Sequence, residues 1–459
     1  MQFSEIWPWL ESFTNLEKAP SQMPRVWRLD RMYALIRALG LGDASGAPAL
    51  PAPVFHLAGS KGKGSTAAFL ASMLKEAGLR PGLYTSPHLM DWRERLTLAG
   101  DFFSPEAYEK TFSALKDFET SLGGTEHAFE SSWGGKPTTF EWLTLGAFKL
   151  FQQHCDSVVL ETGLGGRLDA TNVCRPQVCL LTLIEYEHTE ILGTTLTQIA
   201  GEKAGILKPQ VPAVVSPQPD EALAVFRARA KALEVPLHEF SQLVSTFDTE
   251  LTTNGTQVIV RLKEGAEWSA YLPVWGRHQA VNAVTAALAF QIWAHKNAPE
   301  LPLKHVIETA WTKTSLPGRL EVISQKPFIV LDGAHTEQSA LATAATWKQA
   351  GPSNGTLLFG AFDGKNLEAM AQALAGICPR VAVCPPGPER PSSVQAMAQA
   401  FYRAGVSSSQ LEIFEDAEQA WHTLSARGGP LLVTGSFYLA GKIRRWVQQS
   451  FASEFRQDS

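Results

Sequence analysis

No run of about 18 uninterrupted apolar residues occurs in the chain, so no membrane-spanning helix is expected. Cysteine is scarce: five in 459 residues, at positions 155, 174, 179, 378 and 384. The number is odd and no C-x-x-C pair occurs, which excludes a disulfide framework and points to free thiols in a reducing compartment. Basic runs are missing too, and the net charge is −5. A broad basic face for nucleic acid is therefore not expected. The opening residues, MQFSEIWPWLESF, lack a basic segment followed by an apolar core, so they do not read as a secretory leader. Together these absences predict a cytoplasmic protein with neither membrane nor nucleic-acid partners. No internal repeat and no low-complexity tract is found.

The chain does have ample apolar material, at 45% hydrophobic against 19% charged residues. Its length exceeds what one ordinary core accommodates, so two or three domains are expected. Apolar bursts of strand length alternate with helical patterns. Strands are expected at Val54–Ala58, Gly82–Thr85, Asp156–Glu161, Val178–Ile184 and Ala213–Ser216, with helices between them. This alternation predicts a parallel sheet wrapped by helices. FDTELTTNGTQVIVRL (247–262) alternates around Asn254-Gly255 and reads as a hairpin. A helix is expected from His278 to His295. KNAPELPLK (296–304) and SLPGR (315–319) look like boundary material. Beyond them strand–helix alternation restarts, giving a second, smaller α/β unit.

Chemistry concentrates at the ends of the expected strands. HLAGSKGKGSTAAFL (56–70) combines a strand, a glycine-rich turn with Lys61 and Lys63, and the start of a helix, which is a cradle for phosphate. ETGLGGRLDATN (161–172) puts Glu161 at a strand's carboxyl end, with Arg167 and Asp169 in a glycine-rich path behind it. His188 opens the next strand end and is a candidate metal ligand, although a lone histidine is more often structural. Lys203 lies in GEKAG, where small neighbours let other groups crowd its stem. VLDGAHTEQSA (330–340) delivers Asp332 and His335 to the edge of the second sheet. Each of these has a plain reading as a turn or a solvated side chain; their order along the chain weighs against it.

These pieces in this order resemble the folylpolyglutamate synthase and dihydrofolate synthase family of the Mur ligase superfamily. The resemblance is carried by AGSKGKGS (58–65), TSPHL (85–89) followed by RERL, GLGGRLDATN (163–172), EKAGILK (202–208), GRHQAVNA (276–283), PGRLE (317–321), DGAH (332–335) and TGSFYLAG (434–441). It implies an ATP-dependent ligase that adds L-glutamate to dihydropteroate, or to the γ-carboxylate of a reduced folate's glutamate tail, through an acyl phosphate. The implied architecture is α/β: a P-loop-type ATPase domain with a mostly parallel sheet over 1–316, and a smaller Rossmann-like C-terminal domain over 317–459.

The same resemblance implies roles. Gly62, Lys63, Gly64 and Ser65 would hold the ATP phosphates, and Asn282, Arg319, Asp332 and His335 would touch ATP from the long helix and from the second domain. Ser86, Glu161 and His188 would ligate Mg2+. Lys203 matches the family lysine that carries CO2 as a carbamate, which requires a lowered pKa. Glu161, His188 and Lys203 are the expected catalytic set. Thr85, Phe140, Leu168, Asp169 and Ala170 match positions lining the pterin pocket. A monomer is expected. The sequence departs from the family pattern at Lys61 (asparagine), Thr162 (valine), Glu187 (aspartate) and Thr336-Glu337 (Asn-Pro). Two other readings remain open: a related Mur-type ligase acting on another acid, and an ATP-binding regulator without ligase activity.

Overall fold

The computed structural model describes residues 1–15, 29–122, 135–388 and 391–457. Its largest sheet has seven strands: β1 (Val54–Ala58), β2 (Pro81–Tyr84), β3 (Leu96–Leu98), β4 (Ser157–Glu161), β5 (Val178–Leu181), β6 (Ala213–Val215) and β7 (Leu237–Glu239). They are ordered β3-β2-β4-β1-β5-β6-β7. All neighbours are parallel except β2 and β3. β1 is buried at every residue, as a strand covered on both faces must be, which is why VFHLA reads as an unbroken apolar run. One face is covered by the helices Lys63–Glu76, Arg277–Asn297 and Leu303–Lys313, the other by Phe3–Glu11, Leu29–Ala38, Pro105–Ser121 and Thr139–His154. The alanine-rich helix Arg277–Asn297 is buried almost all round, so it shows no single apolar stripe.

β8 (Val244–Thr252), β9 (Gly255–Leu262) and β10 (Glu267–Leu272) form an antiparallel sheet. Its hairpin turns at Asn254-Gly255, as expected. A helix not expected from the sequence, Leu303–Lys313, lies between the two stretches read as boundary material, KNAPELPLK and SLPGR, and begins inside the first. Pro302 immediately precedes it, a position where proline starts a helix, so proline here marks a helix entry and not a linker. Val306, Ile307, Ala310 and Trp311 bury its inner face, and Trp311 meets Trp268 edge-on. The helix Phe3–Glu11 was not expected either. Pro8 reads as a breaker, but so near a helix start it removes only one backbone hydrogen bond.

The third sheet is ordered β11-β12-β16-β13-β14-β15, from β11 (Glu321–Gln325), β12 (Phe328–Leu331), β13 (Thr356–Phe359), β14 (Arg380–Val383), β15 (Leu411–Ile413) and β16 (Leu431–Thr434). All but β11 are parallel to their neighbours. Trp275 ties the two halves together: its ring packs with Phe328 and Trp347, while its indole N–H donates to the Thr252 carbonyl at 2.9 Å. The expected α/β class, with a mostly parallel sheet and a second smaller one, is what is observed. No helix among the described residues is long and apolar enough to cross a membrane.

Candidate active site

Loops leave the carboxyl ends of four adjacent strands at 59–62, 85–90, 162–169 and 182–188. The chain crosses from one side of β1 to the other between β4 and β5, and open α/β sheets take their ligands at such a reversal. A cleft of about 1120 Å3 opens here, walled on its far side by Arg319, Asp332, His335 and Ser436.

The phosphate-type loop is built by close approach. Gly62 has φ +86°, and a Cβ there would lie 2.3 Å from Asn282 Oδ1, so only glycine lets this turn press against the helix Arg277–Asn297. The helix Lys63–Glu76 starts at the next residue, and Gly62, Lys63, Gly64 and Ser65 line the cleft at its amino end. Ser60 and Lys61 donate their backbone N–H groups to the Leu183 carbonyl at 2.9 and 3.0 Å, which pins the turn to the loop after β5. Lys63 Nζ and Lys203 Nζ both donate to the Gly59 carbonyl at 2.9 Å. Two cations from distant segments thus meet beneath one turn.

Glu161 ends β4 and is 3% exposed. The Ser86 N–H donates to its Oε2 at 3.0 Å. Burial raises its pKa, opposed by Lys63, the Ser86 amide, Arg319 and Arg95. Lys203 is 1% exposed and pairs with Glu187 Oε1 at 2.7 Å. Burial lowers its pKa to about 8, although Glu187 pulls the other way. The main cause of that lowering is desolvation. Lys61 points into the cleft and is also held below its ordinary pKa by burial, against Glu187 and Glu185.

The segments GLGGRLDATN and EKAGI are stitched together. Arg167 N–H donates to the Glu202 carbonyl at 2.8 Å, and Asn172 Nδ2 to the carbonyls of Arg167 and Gly205 at 3.0 and 3.1 Å. Asp169 is the keystone. Its carboxylate accepts from the backbone N–H groups of Gly163, Leu164 and Thr171 and from the Thr171 hydroxyl, at 2.9, 3.1, 3.0 and 2.6 Å. That carboxylate is spent on shaping the loop, so Asp169 lines the cleft mainly through its place in the chain. A Cβ at Gly163 would lie 2.5 Å from the Phe140 ring, so glycine also permits the close fit of Phe140 beside Leu168 and Ala170 on the cleft wall.

From the second sheet, the Arg319 guanidinium stacks 4.2 Å from the Phe437 ring centroid. Burial pulls its pKa down, against Asp332 and Glu161. Asp332 accepts from Leu320 N–H at 3.2 Å and the Thr343 hydroxyl at 2.5 Å. His335 Nδ1 lies 2.9 Å from the Gly333 carbonyl, which can only accept, so Nδ1 carries the proton and Nε2 is left as an acceptor. Burial pushes this histidine down to about 4, which keeps it neutral at physiological pH. Thr336, one of the departures, caps the helix Glu337–Ala350 by accepting from Ser339 N–H at 3.3 Å.

Two expected residues sit differently. Thr85 does not line the cleft: its amide donates to the Arg95 carbonyl and its hydroxyl to the Glu94 carbonyl, because the backbone turn after β2 claims both groups. His188 lines the cleft mouth, but it is exposed, has φ +44°, and among the described residues no hydrogen bond joins it to Glu161 or Ser86. No three His, Cys, Asp or Glu side chains among the described residues gather as a metal cluster. A buried carboxylate beside a serine suits an ion that keeps water and phosphate oxygens as ligands, as magnesium does. Sequence reasoning missed the Arg31–Glu141 pair, which lies on the cleft wall with two bonds of 2.9 Å and side-chain exposures of 5% and 8%. The capping-box spacing Thr138-x-x-Glu141 was its only sequence signal.

Residues 109–290 match the Mur ligase middle domain, and residues 318–437 the Mur ligase glutamate ligase domain. The dihydrofolate synthase/folylpolyglutamate synthase of Bacillus subtilis is 33% identical over 423 residues, 91% of this chain and 94% of that one. The chain belongs to the folylpolyglutamate synthase/dihydrofolate synthase family. Folylpolyglutamate synthase structures superpose over nearly all of it. The Mycobacterium tuberculosis enzyme complexed with ADP does so with a TM-score of 0.82 at 26% identity, over 97% of this chain and 98% of that one. A folylpolyglutamate synthase complex with AMPPCP and folate gives 0.77 at 26% identity, over 97% and 100%.

Proposed function

We propose that this protein joins L-glutamate to the carboxylate of dihydropteroate, or to the γ-carboxylate of a reduced folate's glutamate tail, with ATP as co-substrate. The observation that carries the reading is the convergence of Lys63, Glu161 with Ser86, and Arg319 on one corner of a deep cleft, beside a helix amino end. That corner can bring two anions together. The acceptor carboxylate attacks the γ-phosphorus, the bond to ADP breaks, and an acyl phosphate forms. The uncharged amine of glutamate then attacks the acyl carbon and phosphate leaves.

Each residue has work matching its chemistry. The amides at Gly62–Ser65 and the Lys63 ammonium hold the phosphates, and Asn282 braces the turn. Arg319 faces the developing charge from the second sheet, where its ring contact with Phe437 orients it. Asp332 holds the Leu320 amide and so fixes the backbone beside Arg319. His335 stays neutral and offers Nε2 as an acceptor. Glu161, the Ser86 hydroxyl and His188 are the residues that would hold Mg2+. That ion, when bound, supplies charge neutralisation at the phosphate and carboxylate oxygens. Lys203 is proposed to carry a carbamate: its buried amine is neutral in useful fraction, and the Gly59 carbonyl can accept the N–H the carbamate retains. Glu187 must then turn away, since it would face a second anion. Phe140, Leu168 and Ala170 would contact the pterin. The boundary is proposed between 1–316 and 317–459, and the working unit is taken as a cytoplasmic monomer.

Glutamate-dependent phosphate release, assayed with dihydropteroate and tetrahydrofolate offered separately, tests the reading. Release with either supports it. Nucleotide binding with no release for any acid and amine pair supports the regulator, and release only with another acid supports a different Mur-type ligase.

A further inference from the structure

The helix Phe437–Gln457 turns two faces to different surroundings. Leu439, Ala440, Ile443 and Val447 are buried against the second sheet. Tyr438, Gly441, Lys442 and Arg445 follow the i, i+3, i+4, i+7 spacing of the opposite stripe, and all four line the cleft. Two cations therefore face the ligand space from one helix. Among the described residues neither makes an ion pair or a side-chain hydrogen bond, whereas the adjacent Arg444 is paired to Glu321 at 3.1 Å outside the cleft. The helix lies close to the loop after β2, since a Cβ at Gly441 would be 2.6 Å from the Leu89 carbonyl. Leu89 and Met90 continue the cleft wall from there towards His88 and Trp7. The basic stripe thus lies beside the Leu89–Met90 wall of the cleft.

Two unpaired cations along a cleft imply a ligand with more than one negative charge. Positions three apart on a helix place their Cβ atoms about 5–6 Å apart. In an extended γ-glutamyl chain, successive α-carbons, each bearing a carboxylate, are separated by five bonds, one of them an amide C–N, roughly 6 Å from standard bond lengths. We infer that Lys442 and Arg445 bind the α-carboxylates of a γ-glutamyl tail already present on the acceptor, and so favour tailed over untailed acceptors. The inference rests on the reading of this cleft as a glutamate ligase site and assigns it an acceptor class. Phosphates of the nucleotide and free glutamate are the competing sources of negative charge.

The test compares the wild type with Lys442→Ala, Arg445→Ala and the double variant. KM is measured for dihydropteroate, for tetrahydrofolate carrying one and three glutamyl residues, for ATP and for glutamate. The expected result is a KM for the triglutamyl acceptor raised about 5- to 10-fold in the double variant, the size anticipated for two solvent-accessible charge contacts. The rise should grow with tail length and shrink at high salt. Charge-keeping Lys442→Arg should restore most of it. An equal rise for every acceptor, a rise confined to ATP or to glutamate, or no change would overturn the inference. Titration of a pterin-free tri-γ-glutamyl peptide provides a readout independent of turnover. Tighter binding to the wild type than to the double variant supports the tail site even if no acceptor is ligated; equal binding removes it. Absence of ligation with every acceptor counts against the enzyme reading alone.

Discussion

At the scale of single residues, Lys203 carries the most testable chemistry. Its folded pKa of about 8 leaves roughly a tenth of the amine neutral at pH 7 and most of it neutral at pH 9. At constant dissolved CO2, the CO2-dependent part of the activity is expected to rise from pH 7 to about 9 and then level off; a profile flat across that range would count against the carbamate. Lys203→Ala should lose activity, and added short carboxylates should recover part of it. The linkage sign follows from the same shift. The folded amine releases its proton near pH 8 and the unfolded one near 10.5, so the unfolded state holds more protons in between, and this group makes the fold gain stability as pH rises across that window. Gly62→Ala forces a left-handed backbone and a contact with Asn282, and should cost more than about 1 kcal/mol. Calorimetric titration should find ATP binding weakened far more than the melting temperature falls.

At the scale of elements, the Arg31–Glu141 pair fastens the helix Leu29–Ala38 to the start of Thr139–His154. Arg31→Ala leaves a buried carboxylate and should destabilise by about 3–5 kcal/mol in urea unfolding. Glu141 keeps its contacts to Thr138 N–H and hydroxyl, at 2.7 and 3.0 Å, so the helix start itself should survive. The strand–helix alternation was legible because parallel strands covered on both faces are continuous apolar runs. The helix Leu303–Lys313 was not, because the prolines around its start read as a linker when its apolar face is considered without the helix and strand it packs on. Nor was the fate of Asp169: a carboxylate in a glycine-rich loop looks like a ligand, and only the folded loop shows four donors converging on it.

At the scale of the whole molecule, Arg319 and Asp332 reach the phosphate corner from the second sheet, so relative motion of the two halves should control catalysis. Water would destroy an acyl phosphate, which favours closure around it. Small-angle scattering is expected to show a smaller radius of gyration with ATP analogue, magnesium and acceptor together than in the free protein. Arg319→Ala should leave the two indistinguishable, because its guanidinium is the cation the second half contributes beside Glu161.

The sequence by itself determined the α/β class, the phosphate-type turn and most of the strand-end residues, because glycine, lysine and carboxylate at those positions serve local backbone geometry. Tertiary structure decided the rest. It set Lys203 against Glu187, put Thr85 outside the cleft and left Lys442 and Arg445 inside it without an ion pair among the described residues. Those outcomes depend on which charges and carbonyls meet in the folded chain, 9 residues apart for Thr85 and Glu94, 16 for Lys203 and Glu187 and 144 for Lys203 and Gly59, and on how much water their packing excludes. No local pattern encodes either.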